Sequence, residues 1–224
     1  VGRSPSVVAV IPARLQPVLD EVRPLAEAFA AAGQPLYLVG GIVRDLLLGR
    51  ELGPDADIDL TTPARPDTIK DIAAPLADAL WTQGERFGTI GVKVGGRIFE
   101  ITTHRAEVYH PDSRKPEVEF ANEIDADLSR RDFTVNAMAL EVTADTPTLI
   151  DPFDGVGDLV GKVLRTPIDP DVSFSDDPLR MMRAARFMSS FDLVPTEELL
   201  ASVRSMADRL EIVSAERIRD ELCK

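Results

Sequence analysis

The amino-acid sequence predicts an α+β fold: a small mixed sheet with flanking helices, followed by an all-helical stretch. Three observations carry this. Short apolar runs with strand character and stretches with a 3.6-residue period are interleaved between Leu36 and Arg165. Two strand candidates, Gly88 to Val94 and Arg97 to Thr102, are separated by Gly95-Gly96, a two-residue hairpin signal. From Pro178 onward only helical periodicity remains.

Residues 1–17 hold Pro, Ser and Val without a period and read as a flexible lead-in. Val18 to Ala32 has helical spacing and stops at Gly33, with Pro24 marking a start or a kink. Leu36 to Val39 reads as a short buried strand; Gly40-Gly41 follows, and IVRDLLLG reads as a helix ending at Gly49. ADIDLTT alternates as a strand does. Pro66 to Leu80 is expected to be a helix weakened by Pro75. His104 to Pro116 is polar and aperiodic, hence a loop, expected to be mobile. Val118 to Phe120 reads as a short strand, Asp127 to Ala139 as a helix, Leu149 to Asp158 as a turn-rich connector and Val160 to Arg165 as a strand. PLRMMRAARFMSSF, TEELLASVRSMADRL and SAERIRDELCK are three helical segments, with Met181, Met182, Phe187 and Met188 expected in the helix-packing core. The domain boundary is placed near Pro170, giving domains at 18–169 and 170–224. The last pattern is still periodic at Leu222, so the second domain is expected to be a truncated part of a longer protein.

Of the 224 residues, 44% are hydrophobic and 28% charged, enough to build a core and too apolar for wholesale disorder. Lys plus Arg is 25 against 38 Asp plus Glu, a formal charge of −13, which argues against a broad non-specific nucleic-acid binder. Cys223 is the one cysteine, so no intramolecular disulfide can form and a Cys-rich zinc site is excluded. With only His104 and His110, a histidine metal site is unpromising. No long apolar run and no secretory leader are read, so the expectation is a cytoplasmic protein with no membrane partner.

Asp57-Ile58-Asp59 is the sharpest local feature. On a strand, residues two apart share a face, so both carboxylates project together. Like charges so placed repel unless a cation bridges them, and hard oxygen donors suit magnesium; the plainer reading is a strand edge running out to solvent. Glu100, flanked by apolar residues in IFEIT, either completes a three-carboxylate cluster or faces solvent from a half-exposed strand. Gly40-Gly41 between a strand and a helix, with Arg44 one turn in, can cradle an anion or simply make a tight turn. No dinucleotide-type or P-loop glycine pattern is present. Arg130-Arg131-Asp132-Phe133-Thr134 is either a phosphate- or ribose-binding cluster or a surface ion-pair patch. Asp177, Arg180 and Arg183, spaced i, i+3 and i+6, would share one helix edge, with Asp176 four residues before Arg180. Aromatics are too sparse, at 5%, for an extended base-stacking platform.

In this order these segments resemble the head and neck of bacterial class II CCA-adding enzymes (tRNA nucleotidyltransferases), within the polymerase-beta-like nucleotidyltransferase superfamily. LVGGIVRDLLLG with DADIDLTT looks like the first motif; FEITTHR, RRDFTVNAMAL, DPFDGVGDLVGKVLR, DDPLRMMRAARF and VSAERIRDEL resemble those that follow. Asp176 stands where the family usually has Glu. The resemblance implies a polymerase-beta-like head followed by a helical neck. It implies metal-dependent transfer of a nucleotidyl group from CTP or ATP to a tRNA acceptor end. It implies that Asp57, Asp59 and Glu100 are catalytic, with Asp57 and Asp59 holding two Mg²⁺ ions. Gly40, Gly41, Arg44, Arg131, Asp132, Asn136, Asp177, Arg180 and Arg183 would bind the nucleotide, Asp177 and Arg180 at the base. The main grip on tRNA is expected in C-terminal domains beyond Lys224. Two alternatives stay open: a poly(A) polymerase of the same chemistry, and a non-catalytic nucleotide-binding regulatory module.

Overall fold

The computed structural model describes residues 15–53, 56–108 and 117–224. These fall into two compact units: one runs to Asp127 and includes Met138–Ile150, the other holds Leu128–Ala137 and Asp151–Lys224.

In the first unit, α1 (Gln16–Ala31) buries Val18, Val22, Leu25, Ala26 and Phe29, one stripe at helical spacing. It passes through Pro24, which lies on the exposed side, where the carbonyl left without a donor can turn to water. Next come β1 (Tyr37–Val39), α2 (Gly41–Leu47) and β2 (Ile58–Thr62). The helix expected from Pro66 to Leu80 stops early: α3 (Pro66–Ala73) tightens into a 3-10 turn at Ala74–Leu76, because Pro75 brings no N–H to continue the ladder. Ala79–Trp81 is instead an edge strand, β3. β4 (Thr89–Val94) and β5 (Arg97–Thr103) form the expected hairpin, with Gly95 and Gly96 both at positive φ. His104 to Pro116 is not wholly a loop, since β6 (Arg105–Val108) pairs with β7 (Glu117–Phe120); residues 109–116 of that expected loop, like 1–14 of the lead-in, lie outside the described residues.

The helix expected over Asp127–Ala139 is replaced by α4 (Ile124–Ser129), an irregular stretch, a 3-10 turn at Thr134–Asn136 and the start of β8 (Ala139–Glu141). Every residue from Asp132 to Leu140 is buried, so the segment has no exposed face for an amphipathic helix to present. β9 (Thr148–Ile150) closes a seven-stranded sheet of order β3-β4-β5-β2-β1-β8-β9, in which β2 and β5 run parallel and the other pairs antiparallel. Ile90, Ile101, Leu60, Leu38 and Leu140 are register partners across five strands and all buried, marking the core face.

In the second unit, the expected connector folds into α5 (Gly155–Gly161), whose Gly155 and Val156 amides donate to the Asp151 carboxylate at 2.7 and 2.9 Å. The strand expected at Val160–Arg165 shrinks to β10 (Val163–Leu164), since Lys162 ends α5 in a left-handed conformation. α6 (Pro170–Asp176) begins at an Asp169 cap. α7 (Leu179–Phe191), β11 (Val194–Pro195), α8 (Glu197–Met206) and α9 (Ala215–Leu222) complete the unit. Met181 and Phe187 are buried as expected, Phe187 against Phe133 at 5.0 Å between centroids; Met182 is half-buried and Met188 is exposed.

Candidate active site

Asp57 stands one residue before β2 and Asp59 is its second residue, alternating with buried Ile58 and Leu60. The two carboxylates therefore leave the sheet on the face opposite the core. The parallel pairing of β2 with β5 makes Asp59 and Glu100 direct register partners, so Glu100 joins that face. All three acids are exposed. Partial desolvation pushes the Glu100 carboxyl above the ordinary range, and the charges of Asp59 and Asp57 push it further. Among the described residues no three acid, histidine or cysteine side chains are gathered closely enough to hold a metal ion unaided. An open carboxylate set fits magnesium better than a closed cage, because magnesium keeps waters and takes substrate phosphates alongside one or two carboxylates.

The approach to Asp57 is tied down by a residue that sequence reasoning passed over. Arg97, first in β5, donates to the Gly53 and Ala56 carbonyls at 2.9 and 3.2 Å and grips the Glu21 carboxylate of α1 with its Nε and a terminal nitrogen. These partners lie 41 to 76 residues away in sequence, so no local pattern signals them.

Gly40 has φ 76° and ψ −140°, a conformation open to glycine, and sits at the start of α2. A Cβ on Gly41 would meet the Arg44 guanidinium at 3.3 Å, so Arg44 folds back over its own first turn. Arg44 is buried and donates to both oxygens of Asp45, at 3.0 and 2.9 Å. A groove of about 480 Å³ between α1 and Val142–Pro147 holds none of these residues.

The second unit contains the remaining candidates. Arg131, half-buried, and Asp132, buried, lie on the irregular stretch after α4 rather than on a helix. Asp132 accepts from the Phe133 amide and Asn136 at 2.9 Å each, and from Arg183 Nε at 2.9 Å and a terminal nitrogen at 2.5 Å. Burial pushes its carboxyl up, but the Arg183 charge and these hydrogen bonds outweigh burial and hold it below the usual range. Asp177, Arg180 and Arg183 do not share one helix edge. Asp177 follows α6 in an extended conformation, and Pro178 separates it from α7. Its carboxylate accepts from the Leu179 amide at 3.2 Å and from Arg217 at 2.9 Å. Arg180 is buried and donates to Ser173 Oγ at 2.8 Å and to the Arg130 carbonyl at 2.5 Å. Glu221, another residue that sequence reasoning passed over, is buried, with its carboxylate 2.5 Å from Arg186 and 3.9 Å from Arg183.

Residues 36–165 match the family model of the poly(A) polymerase head domain, and residues 192–224 match that of a probable RNA and SrmB-binding site of polymerase A. The chain belongs to this family, as a polymerase-beta-like α+β head followed by a helical neck. It is 39% identical to the CCA-adding enzyme of Lactobacillus helveticus over 212 residues, covering 94% of this chain and 51% of that protein. The Bacillus stearothermophilus CCA-adding enzyme in complex with CTP superposes with a TM-score of 0.78 at 32% identity, over 94% of this chain and 48% of that one. The Thermotoga maritima enzyme complexed with tRNA_CCA gives 0.79 at 31% identity, over 97% and 49%. The chain thus spans about half the length of these relatives. Among the described residues no helix is long and apolar enough to cross a membrane.

Proposed function

We propose that the chain carries the nucleotidyl-transfer site of a CCA-adding enzyme, moving CMP and AMP units from CTP and ATP to a tRNA 3′ end. The carrying observation is the set Asp57, Asp59 and Glu100 on one open sheet face, with Asp59 and Glu100 in register. The charges of Asp59 and Asp57 push the Glu100 carboxyl up, a repulsion that a bound cation would relieve, which favours catalysis over a merely regulatory nucleotide-binding module. Asp57 and Asp59 would hold two magnesium ions, with Glu100 supporting one of them. Bound there, magnesium supplies activation of the attacking 3′-hydroxyl and neutralises charge on the triphosphate. Arg97 keeps Asp57 in place from behind, through the Ala56 carbonyl. Gly40, Gly41 and Arg44 contact the triphosphate, for which Arg44 exchanges part of its hold on Asp45.

In the second unit, Asp177 offers only acceptors and Arg180 only donors, a complementary pair for a base edge. Reading a base obliges Arg180 to release Ser173 or the Arg130 carbonyl. Arg131, Asp132 and Asn136 serve the ribose and phosphates, and Arg183 holds the Asp132 carboxylate in orientation.

The test is transfer of labelled CTP and ATP to a tRNA lacking its terminal nucleotides, alongside magnesium-dependent CTP binding by calorimetry. Asp57→Ala is expected to abolish transfer while leaving the circular dichroism spectrum unchanged. Normal turnover by that variant overturns the assignment. A ladder of A residues with ATP alone identifies a poly(A) polymerase instead.

A further inference from the structure

The row of register partners that joins Asp59 to Glu100 continues outward across the sheet. Glu100 pairs with Gly91 of β4, and Gly91 pairs with Trp81 at the end of the edge strand β3. Partners in register share a face, so Trp81 stands on the face of the acids, two strands beyond Glu100. Gly91 contributes no side chain to that row. A Cβ there would lie 2.0 Å from Trp81 Nε1 and 2.1 Å from Cε2, so the indole lies directly on the Gly91 backbone, the position between Trp81 and Glu100 in the row. Trp81 is only half-buried, and its indole N–H makes no hydrogen bond among the described residues. Tryptophan joins a large apolar ring to a polar N–H, a combination suited to surfaces that are apolar at one end and wet at the other. This one rests one surface on glycine and keeps a flat surface and a donor beside the acids.

We propose that Trp81 is a nucleic-acid contact of this site, its open indole face stacking the terminal base of the single-stranded acceptor so that the 3′-hydroxyl is held beside Asp59 and Glu100. The inference rests on the nucleotidyl-transfer reading and adds to it the residue that receives the acceptor. Stacking on an aromatic face tolerates any base, because every base has a π-face, and a strand reaching the acids over the sheet edge crosses Trp81 first.

Trp81 is the chain's one tryptophan, so its emission reports this position alone. A short single-stranded RNA ending in two cytidines, added with magnesium and no nucleoside triphosphate, is expected to quench that emission saturably. Trp81→Leu is expected to weaken binding of the same RNA, followed by anisotropy of a labelled strand, by about tenfold, while Trp81→Phe retains most of it. Gly91→Ala, which drives a methyl group under the indole, is expected to weaken RNA binding with the tryptophan still present. Calorimetric binding of CTP is expected to be the same in all four proteins and serves as the control for folding. Should Trp81→Leu fail to fold, the phenylalanine and Gly91→Ala variants decide the matter. RNA binding with unchanged emission, equal RNA affinity in Trp81→Leu, or quenching by CTP but not by RNA each overturns the proposal. A chain that binds CTP but not the RNA overturns it and leaves the nucleotide site standing. Saturable quenching by RNA in a chain that transfers nothing supports the contact and sinks the transfer reading.

Discussion

Asp132 receives four donors on two oxygens while buried, and Arg183 supplies two of them. Its carboxyl is held below the range it has in the unfolded chain. A carboxylate with a depressed folded pKa contributes stability that is present above its unfolded value, about 3.9, and lost as pH falls through the folded one. Asp132→Asn keeps the shape but leaves Arg183 facing a neutral amide, and removing one partner of a buried pair costs about 3 kcal/mol or more. Urea unfolding at pH 7 is expected to show that loss, and the gap between variant and parent is expected to narrow towards pH 3. Equal midpoints at pH 7 would show that Glu221, 3.9 Å from Arg183, suffices to hold the guanidinium.

At the scale of elements, Arg97 joins α1, the segment leading to Asp57 and the first position of β5. Arg97→Ala frees the Gly53 and Ala56 carbonyls, so Asp57 loses its fixed approach while the sheet register stays. Transfer is expected to fall about 10²-fold in kcat, with the KM for CTP little changed, because misplacement by about 1 Å costs on that order. Re-forming the pair in reverse, Glu21→Arg with Arg97→Glu, restores the grip on α1 but not the bonds to the carbonyls, and is expected to recover little. Full recovery would assign the effect to the ion pair instead. The parts of this site that were legible in the sequence have local causes. Gly95-Gly96 announces the hairpin because both residues need positive φ, and Asp57-Ile58-Asp59 announces its face through strand alternation. What stayed hidden is long-range. The Asp59–Glu100 pairing needs a parallel crossover, and the grip of Arg97 on Glu21 spans 76 residues. Two element ends carry local signals: Pro75 ends α3, and Asp169 followed by Pro170 is a cap with a first-turn proline that starts α6. The buried run Asp132–Leu140 imitates a helix because periodicity does not separate a buried helix from a buried irregular segment.

For the molecule as a whole, the −13 charge bears on how RNA can be held. Many of its cations are already committed to carboxylates: Arg44 to Asp45, Arg97 to Glu21, Arg165 to Asp158, Arg183 to Asp132, Arg186 to Glu221 and Arg217 to Asp177. An arginine that meets a phosphate must first loosen its carboxylate, as proposed for Arg44 and Asp45, so each such contact is expected to gain less than one from a cation without an acid partner. For single strands the logarithm of affinity falls against the logarithm of salt with a slope of about −0.7 for each phosphate neutralised. Neutralising fewer than about three phosphates would give a slope shallower than about −2, and that is the outcome expected here. Anisotropy of a labelled acceptor strand between 50 and 200 mM potassium chloride, roughly the window over which this dependence is normally read, measures it directly. A slope steeper than about −4 would mean that the arginines leave their carboxylates for RNA. Stacking is insensitive to salt, so a shallow slope together with a large loss in Trp81→Leu is the pattern expected if aromatic contact, rather than charge, holds the acceptor on this acidic chain.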